Sequence, residues 1–109
     1  PAPVKTVKAI ITNELSRGLV AKDLCNRIGL SQNHMNRLMK KYTQLTLKQY
    51  IQKEKIDRAE HLLRNTNLPV RVIAVEIGIS DPQQFNKFMR LKTTYSPSAF
   101  RRNEFLEEP

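Results

Sequence analysis

Apolar residues recur along this chain at helical intervals, and each run of them is closed by a recognisable stop. Val4, Val7, Ile10, Ile11 and Leu15 follow an i, i+3, i+4, i+7 stripe, with Gly18 as the stop. A second helix is predicted over residues 20–28, with Leu24, Cys25 and Ile28 inward and Gly29 as its end. Ser31 then stands where an N-cap belongs, and Met35, Leu38, Met39 and Tyr42 form the apolar face of a third helix. A long helix is predicted over residues 47–64, its apolar side made by Tyr50, Ile51, Ile56, Ala59, Leu62 and Leu63. Lys53, Glu54 and Lys55 interrupt that stripe, and such long side chains can lay their stems on apolar surface. The polar break Asn65-Thr66-Asn67 and Pro69 precede a fifth helix over 70–77, stopped by Gly78. Ser80-Asp81-Pro82 opens a sixth, with Phe85, Phe88 and Met89 inward. A last short helix is expected from Pro97 through Phe100 to about Phe105, with a frayed tail at Glu107-Glu108-Pro109.

Strand signals are poor. Only three glycines occur, and no run alternates with a period of two. The pattern therefore predicts an all-α chain of seven helices.

The pattern also repeats. Leu24-Cys25-Asn26-Arg27-Ile28-Gly29-Leu30-Ser31 matches Ile73-Ala74-Val75-Glu76-Ile77-Gly78-Ile79-Ser80. With one extra residue near Pro82, Met35-Asn36-Arg37-Leu38-Met39-Lys40 aligns with Phe85-Asn86-Lys87-Phe88-Met89-Arg90. Thr46-Leu47 aligns with Ser96-Pro97, and Tyr50 with Phe100. The physical reading is a duplicated helix-turn-helix. In each copy a glycine permits the positive φ of a sharp turn, and a small residue, Cys25 or Ala74, lets two helices cross closely. The expected organisation is a first helix-turn-helix subdomain over 1–46, a linker helix over 47–65 and a second subdomain over 66–109. Half-chains of this size sit near the lower limit for independent folding, so the shared helix should support both.

Charge says what the repeated faces are for. The 109 residues carry 19 Lys+Arg against 10 Asp+Glu, a formal net charge of +9. A domain this basic seeks a polyanion, with nucleic acid first and an anionic membrane surface second. No stretch approaches the length of a membrane span, and no leader core is visible. One cysteine, Cys25, excludes an internal disulfide and fits a reducing compartment. A start at Pro1-Ala2-Pro3 without Met is what a piece of a longer protein would show.

The third and sixth helices (recognition helices over about 31–42 and 82–93) each turn a cationic, amide-rich face outward. Asn33, Asn36 and Arg37 are the expected base-edge contacts of the first, with Gln32 and Lys40 nearer phosphates. Gln83, Asn86 and Lys87 are their counterparts in the second, with Gln84 and Arg90 at the backbone. Asn and Gln pair with adenine and Arg with guanine on the major-groove edge. Two such helices could enter successive grooves about 34 Å apart. A linker helix of about 18 residues at about 1.5 Å each, on the order of 27 Å, would be the spacer.

Other chemistry finds little support. His34 and His61 lack partners at metal-ligand spacing and read as surface histidines, so no metal is expected. Cys25 and the methionines Met35, Met39 and Met89 read as core. Glu54 and Asp57 form no matched pair, and no G-K-[ST] phosphate loop exists, so neither enzyme activity nor a cofactor is expected. Two alternatives stay open at this point: a basic helical interaction module for an acidic protein surface, and the DNA-recognition piece of a recombinase.

The chain resembles the C-terminal DNA-binding domain of the AraC/XylS family of bacterial transcription regulators, from about Val4 to Arg102. The resemblance is most specific over Ile73-Ala74 to Gly78-Ile79-Ser80-Asp81, at Phe85, and over Ser96-Pro97-Ser98-Ala99-Phe100-Arg101. Residues Tyr50 to Ala59 look like the family's linker-helix motif. The resemblance implies a seven-helix fold of two tandem homeodomain-like units, asymmetric promoter sites, and activation through contact with RNA polymerase. It also implies a separate sensing or dimerisation domain and a cytoplasmic, nucleoid-bound location. The chain departs from the family at Gln44 and Thr94, where glycine is usual, and at Met39, Met89 and Ile79, where Phe is usual. Lys55 replaces an Arg, and Val20 stands where Ser or Thr is common.

Overall fold

The computed structural model describes residues 1–102, all helices and connections, with no strand among them. Seven α-helices appear in this stretch: α1 Ala2–Glu14, α2 Ala21–Ile28, α3 Gln32–Thr43, α4 Leu47–Asn65, α5 Val70–Glu76, α6 Pro82–Thr93 and α7 Pro97–Arg101. The expected end of the last helix at Phe105, and the tail Glu107-Glu108-Pro109, lie outside the described residues. The chain divides into two compact units, Pro1–Lys55 and the remainder from Ile56, and the division falls within α4.

In the first unit, α1 stops at Glu14, earlier than its stripe suggests. The chain tightens through a 3₁₀ turn, Leu15–Arg17, and leaves at Gly18 with φ 66°. Leu15 stays buried there, so the tighter turn keeps the stripe's last apolar member inside. Val20 takes the N-cap position of α2 with no side-chain cap, because an isopropyl group has no acceptor to offer. Val7, Ile11, Leu24, Cys25, Met35, Met39 and Leu47 form the core, each no more than 1% exposed. Burying each larger side chain contributes roughly 1.5–3 kcal/mol. Tyr42, whose spacing points inward, is instead 47% exposed, with the Lys41 ammonium 5.4 Å from its ring centroid. It sits in the last turn of α3, where the helix has passed its core neighbours.

The second unit repeats this plan with Ala59, Leu63, Ile73, Ala74, Ile77, Phe85, Met89 and Phe100 buried. Both turns close alike. Gly29 and Gly78 have φ 74° and 83°. Leu30 N–H reaches back to the Cys25 carbonyl at 3.1 Å, and Ile79 N–H to the Ala74 carbonyl at 2.9 Å. This six-to-one bond satisfies a carbonyl left open at the helix end. The extra residue is absorbed between this turn and the next cap. Ser31 caps α3 through His34 N–H at 3.1 Å, whereas Asp81, not Ser80, caps α6 through Gln83 N–H at 2.9 Å. From there on the two copies run with identical burial, residue by residue, over 31–48 and 81–98.

Arg101 closes the second unit from behind. Its Nε donates to the Leu63 carbonyl at 3.1 Å and its Nη2 to the Thr66 carbonyl at 3.2 Å. These are acceptors at the C-terminal end of α4, where a cation also suits the helix dipole.

Candidate nucleic-acid interface

The two outward faces are built by the same local rules. A cap fixes where α3 and α6 begin, and two core anchors one turn apart fix which face turns out. Met35 and Met39 hold α3; Phe85 and Met89 hold α6. Each helix then ends through one threonine. Thr43 Oγ1 donates to the Met39 carbonyl at 2.7 Å and accepts from Leu45 N–H at 3.2 Å. Thr93 does the same with Met89, at 2.8 Å, and Tyr95, at 3.1 Å. Gln44 and Thr94 follow in the left-handed region at φ 64° and 71°. These are the two positions where glycine is usual in the family the sequence resembles. The turn needs positive φ whatever residue occupies it.

All ten residues expected at DNA lie on these two helices. On α3, Gln32, Asn33, Arg37 and Lys40 are exposed and Asn36 is half-buried. On α6, Gln83, Gln84, Lys87 and Arg90 are exposed and Asn86 is half-buried. Neither helix contains an acidic residue. Each face is thus a cationic strip with amide donors and acceptors at its N-terminal half, the end that meets base edges when such a helix enters a groove. A shallow groove on α6 is lined by Gln83, Asn86, Lys87, Arg90 and Leu91.

The two half-buried asparagines differ in what they bind. Asn36 Oδ1 accepts from Leu47 N–H at 2.9 Å, capping the first turn of α4. Asn86 Oδ1 accepts from Arg90 Nε at 2.7 Å. The residue equivalent to Leu47 is Pro97, which has no N–H to give.

Leu91 was not singled out from the sequence. It is 75% exposed beside Lys87 and Arg90. The repeat carried the signal, because Leu91 aligns with the exposed Lys41. The burial of Cys25 raises its thiol pKa through desolvation, which keeps it protonated and unreactive. His34 and His61 are exposed. Among the described residues, no three His, Cys, Asp or Glu side chains gather as a metal site would require. No helix of these residues is long and apolar enough to cross a membrane.

The sequence pattern of a helix-turn-helix domain family matches residues 24–103. The Msm operon regulatory protein of Streptococcus mutans is 32% identical over 93% of this chain and 36% of its own length. The transcriptional activator RhaR of Mannheimia succiniciproducens is 29% identical over 90% of this chain and 36% of its own. The chain spans only about a third of the length of these two relatives. Among solved structures, the DNA-binding domain of AdpA, a global transcriptional factor in complex with a target DNA, superposes with a TM-score of 0.83. That likeness covers 98% of this chain and 96% of the other at 21% identity, and it shows the same fold.

Proposed function

This chain belongs to the AraC-type helix-turn-helix family of DNA-binding transcription regulators, and on that premise we propose that it reads duplex DNA sequence-specifically through α3 and α6. The observation that carries the reading is the twofold recurrence of one face. Two helices with the same burial register each present a strip of amides and cations without a single carboxylate. A strip of this kind supplies phosphate neutralisation and base-edge hydrogen bonds together.

In this reading α3 and α6 occupy successive major grooves, with 1–46 and 66–109 as the reading modules and 47–65 as their linker. Asn33 and Arg37 meet base edges, and Asn36 contributes its amide N–H₂ while its oxygen holds Leu47. Gln32 and Lys40 meet phosphates. Gln83 and Lys87 meet base edges in the second groove, with Gln84 at the backbone. The role is binding, not catalysis. Similarity to the transcriptional activator RhaR favours activation as the outcome of binding, and contact with RNA polymerase would be its route. The short share of its relatives' length favours a separate sensing or dimerisation domain in the whole protein, which would act in the bacterial cytoplasm.

Selection of bound duplexes from a random pool at near-physiological salt, followed by footprinting, tests this. Two short enriched blocks about one helical turn apart are expected. Binding that enriches no sequence and only tracks salt would overturn it.

A further inference from the structure

The contrast between Asn36 and Asn86 separates the two reading helices. The first spends its oxygen on the backbone of α4, through Leu47 N–H at 2.9 Å. In the second copy Pro97 removes that donor, and the freed oxygen takes Arg90 Nε at 2.7 Å instead. The residue at the Arg90 position of the first copy is Lys40, whose ammonium has no equivalent planar fork. The second unit alone therefore combines a released asparagine with an arginine one turn away.

This bond has three consequences for Arg90. It draws the guanidinium back by one helical turn, from the C-terminal part of α6 toward the N-terminal half that enters a groove. It fixes the guanidinium plane by its Nε edge, leaving Nη1 and Nη2 as two donors. It also removes rotamer freedom before any ligand arrives, which lowers the cost of a directional contact. A phosphate can take the same two prongs, so position decides between the two: the bond holds the fork beside Gln83 and Lys87, the residues expected at base edges, rather than out along the flank of the helix. A guanine gains much, because its O6 and N7 accept two coplanar N–H donors at once. Gln83, Lys87 and Leu91 line the same groove, so a base edge would meet the fork beside other readers.

We propose that the bond exchanges the roles expected from the sequence: Arg90, expected at the backbone, reads guanine in the second groove, and Asn86, expected at a base edge, is the residue that positions it. The proposal rests on the DNA-binding reading given above and assigns it one base of its target.

The test uses the duplex selected for the whole chain and every single base-pair change in it. Binding is measured for the unaltered chain, Arg90→Lys, Arg90→Ala, Asn86→Ala and Asn86→Asp at several salt concentrations. Arg90→Lys keeps the charge and loses the fork, so discrimination at one G·C pair should fall by about 5- to 150-fold with the salt slope unchanged. Asn86→Ala should weaken discrimination at the same pair and not elsewhere. Asn86→Asp keeps the acceptor oxygen and should restore that discrimination, even as its charge lowers affinity for every duplex. A general packing role for Asn86 would show neither the single-pair pattern nor this rescue. Unchanged discrimination at every G·C pair in Arg90→Lys would overturn the proposal. So would an Arg90→Ala chain that loses affinity uniformly and lowers the salt slope by about 1, the mark of a phosphate contact. An unaltered chain without sequence preference would sink the DNA-reading premise itself, a result distinct from both.

Discussion

Asn36 and Leu47, eleven residues apart, are joined by a 2.9 Å hydrogen bond from the Leu47 N–H to the Asn36 side-chain oxygen. The bond ties a helix that faces outward to the helix that follows it, at a leucine with no exposed surface. Thr46 and Gln49 complete the same helix start. Gln49 N–H donates to Thr46 Oγ1 at 3.2 Å, and Thr46 N–H to Gln49 Oε1 at 2.9 Å. Three donors at the opening of α4 are thereby satisfied.

Asn36→Ala should therefore destabilise the fold by about 1–3 kcal/mol, since it leaves a buried N–H without its acceptor. Asn36→Asp keeps the acceptor and adds a charge suited to a helix N-terminus, so it should unfold at nearly the original denaturant midpoint. The same Asp faces DNA phosphates and should weaken duplex binding. Chemical denaturation and binding measured on both variants would separate the two roles. Equal destabilisation by Ala and Asp would show that the hydrogen bond is not what matters.

Thr94 holds φ 71° at the end of α6, a conformation that costs a β-branched residue more than most. Thr94→Gly should raise stability by about 1 kcal/mol. Gln44→Gly, at φ 64°, should raise it by less, because Gln is unbranched at Cβ. Both residues are exposed, so nothing is lost from the core. Thermal unfolding of the two variants gives the order. A lower Tm for Thr94→Gly would mean that the entropy gained by the unfolded chain outweighs the relief of strain.

Much of this was readable in the periodicity, and the exceptions have physical reasons. The bounds of α6 are those the pattern predicts, because a proline at its first position and a cap before it mark the start without tertiary help. Tyr42 defeats the same pattern, since spacing tells which side a residue faces but not whether core remains beneath the last turn. The repeat assigned Asn36 and Asn86 one role. Their difference depends on a donor present at residue 47 and absent at residue 97, which becomes visible only when the chain folds back. Leu91 escapes the pattern because an apolar side chain with no donor or acceptor carries no recognition signal of its own, although it lines the same face.

Glu14 and Arg27 form a two-pronged ion pair, at 2.9 and 3.0 Å, between the end of α1 and the last turn of α2. The hydrogen bonds from the guanidinium, with its charge, hold the Glu14 carboxyl below the usual glutamate value. A depressed pKa means the native state binds its proton less readily than the unfolded state does. The contribution is thus full above the ordinary glutamate pKa and is lost as pH falls through the lower, native value. Glu14→Gln should be slightly less stable than the unaltered chain at neutral pH, and the gap should close below about pH 4. The pair is exposed to solvent, so salt should narrow the gap as well. Melting curves across pH at two ionic strengths would show it, and a gap that widens on acidification would contradict the assignment.

Arg37 and Lys40 lie one turn apart on α3, both exposed, and they should fail differently. Arg37→Ala should cost about 1–3 kcal/mol on the selected duplex and relax preference at one or two base pairs, as the loss of a base-edge contact does. Lys40→Ala should weaken all duplexes alike and reduce the salt slope by about 1, because a neutralised phosphate releases one counterion fewer. Salt titrations against cognate and altered duplexes measure both quantities on the same samples. The comparison is decided by the slope. If Arg37→Ala lowers it and leaves base preference intact, the first helix holds the backbone at this turn, and base reading on α3 falls to Asn33 and Asn36.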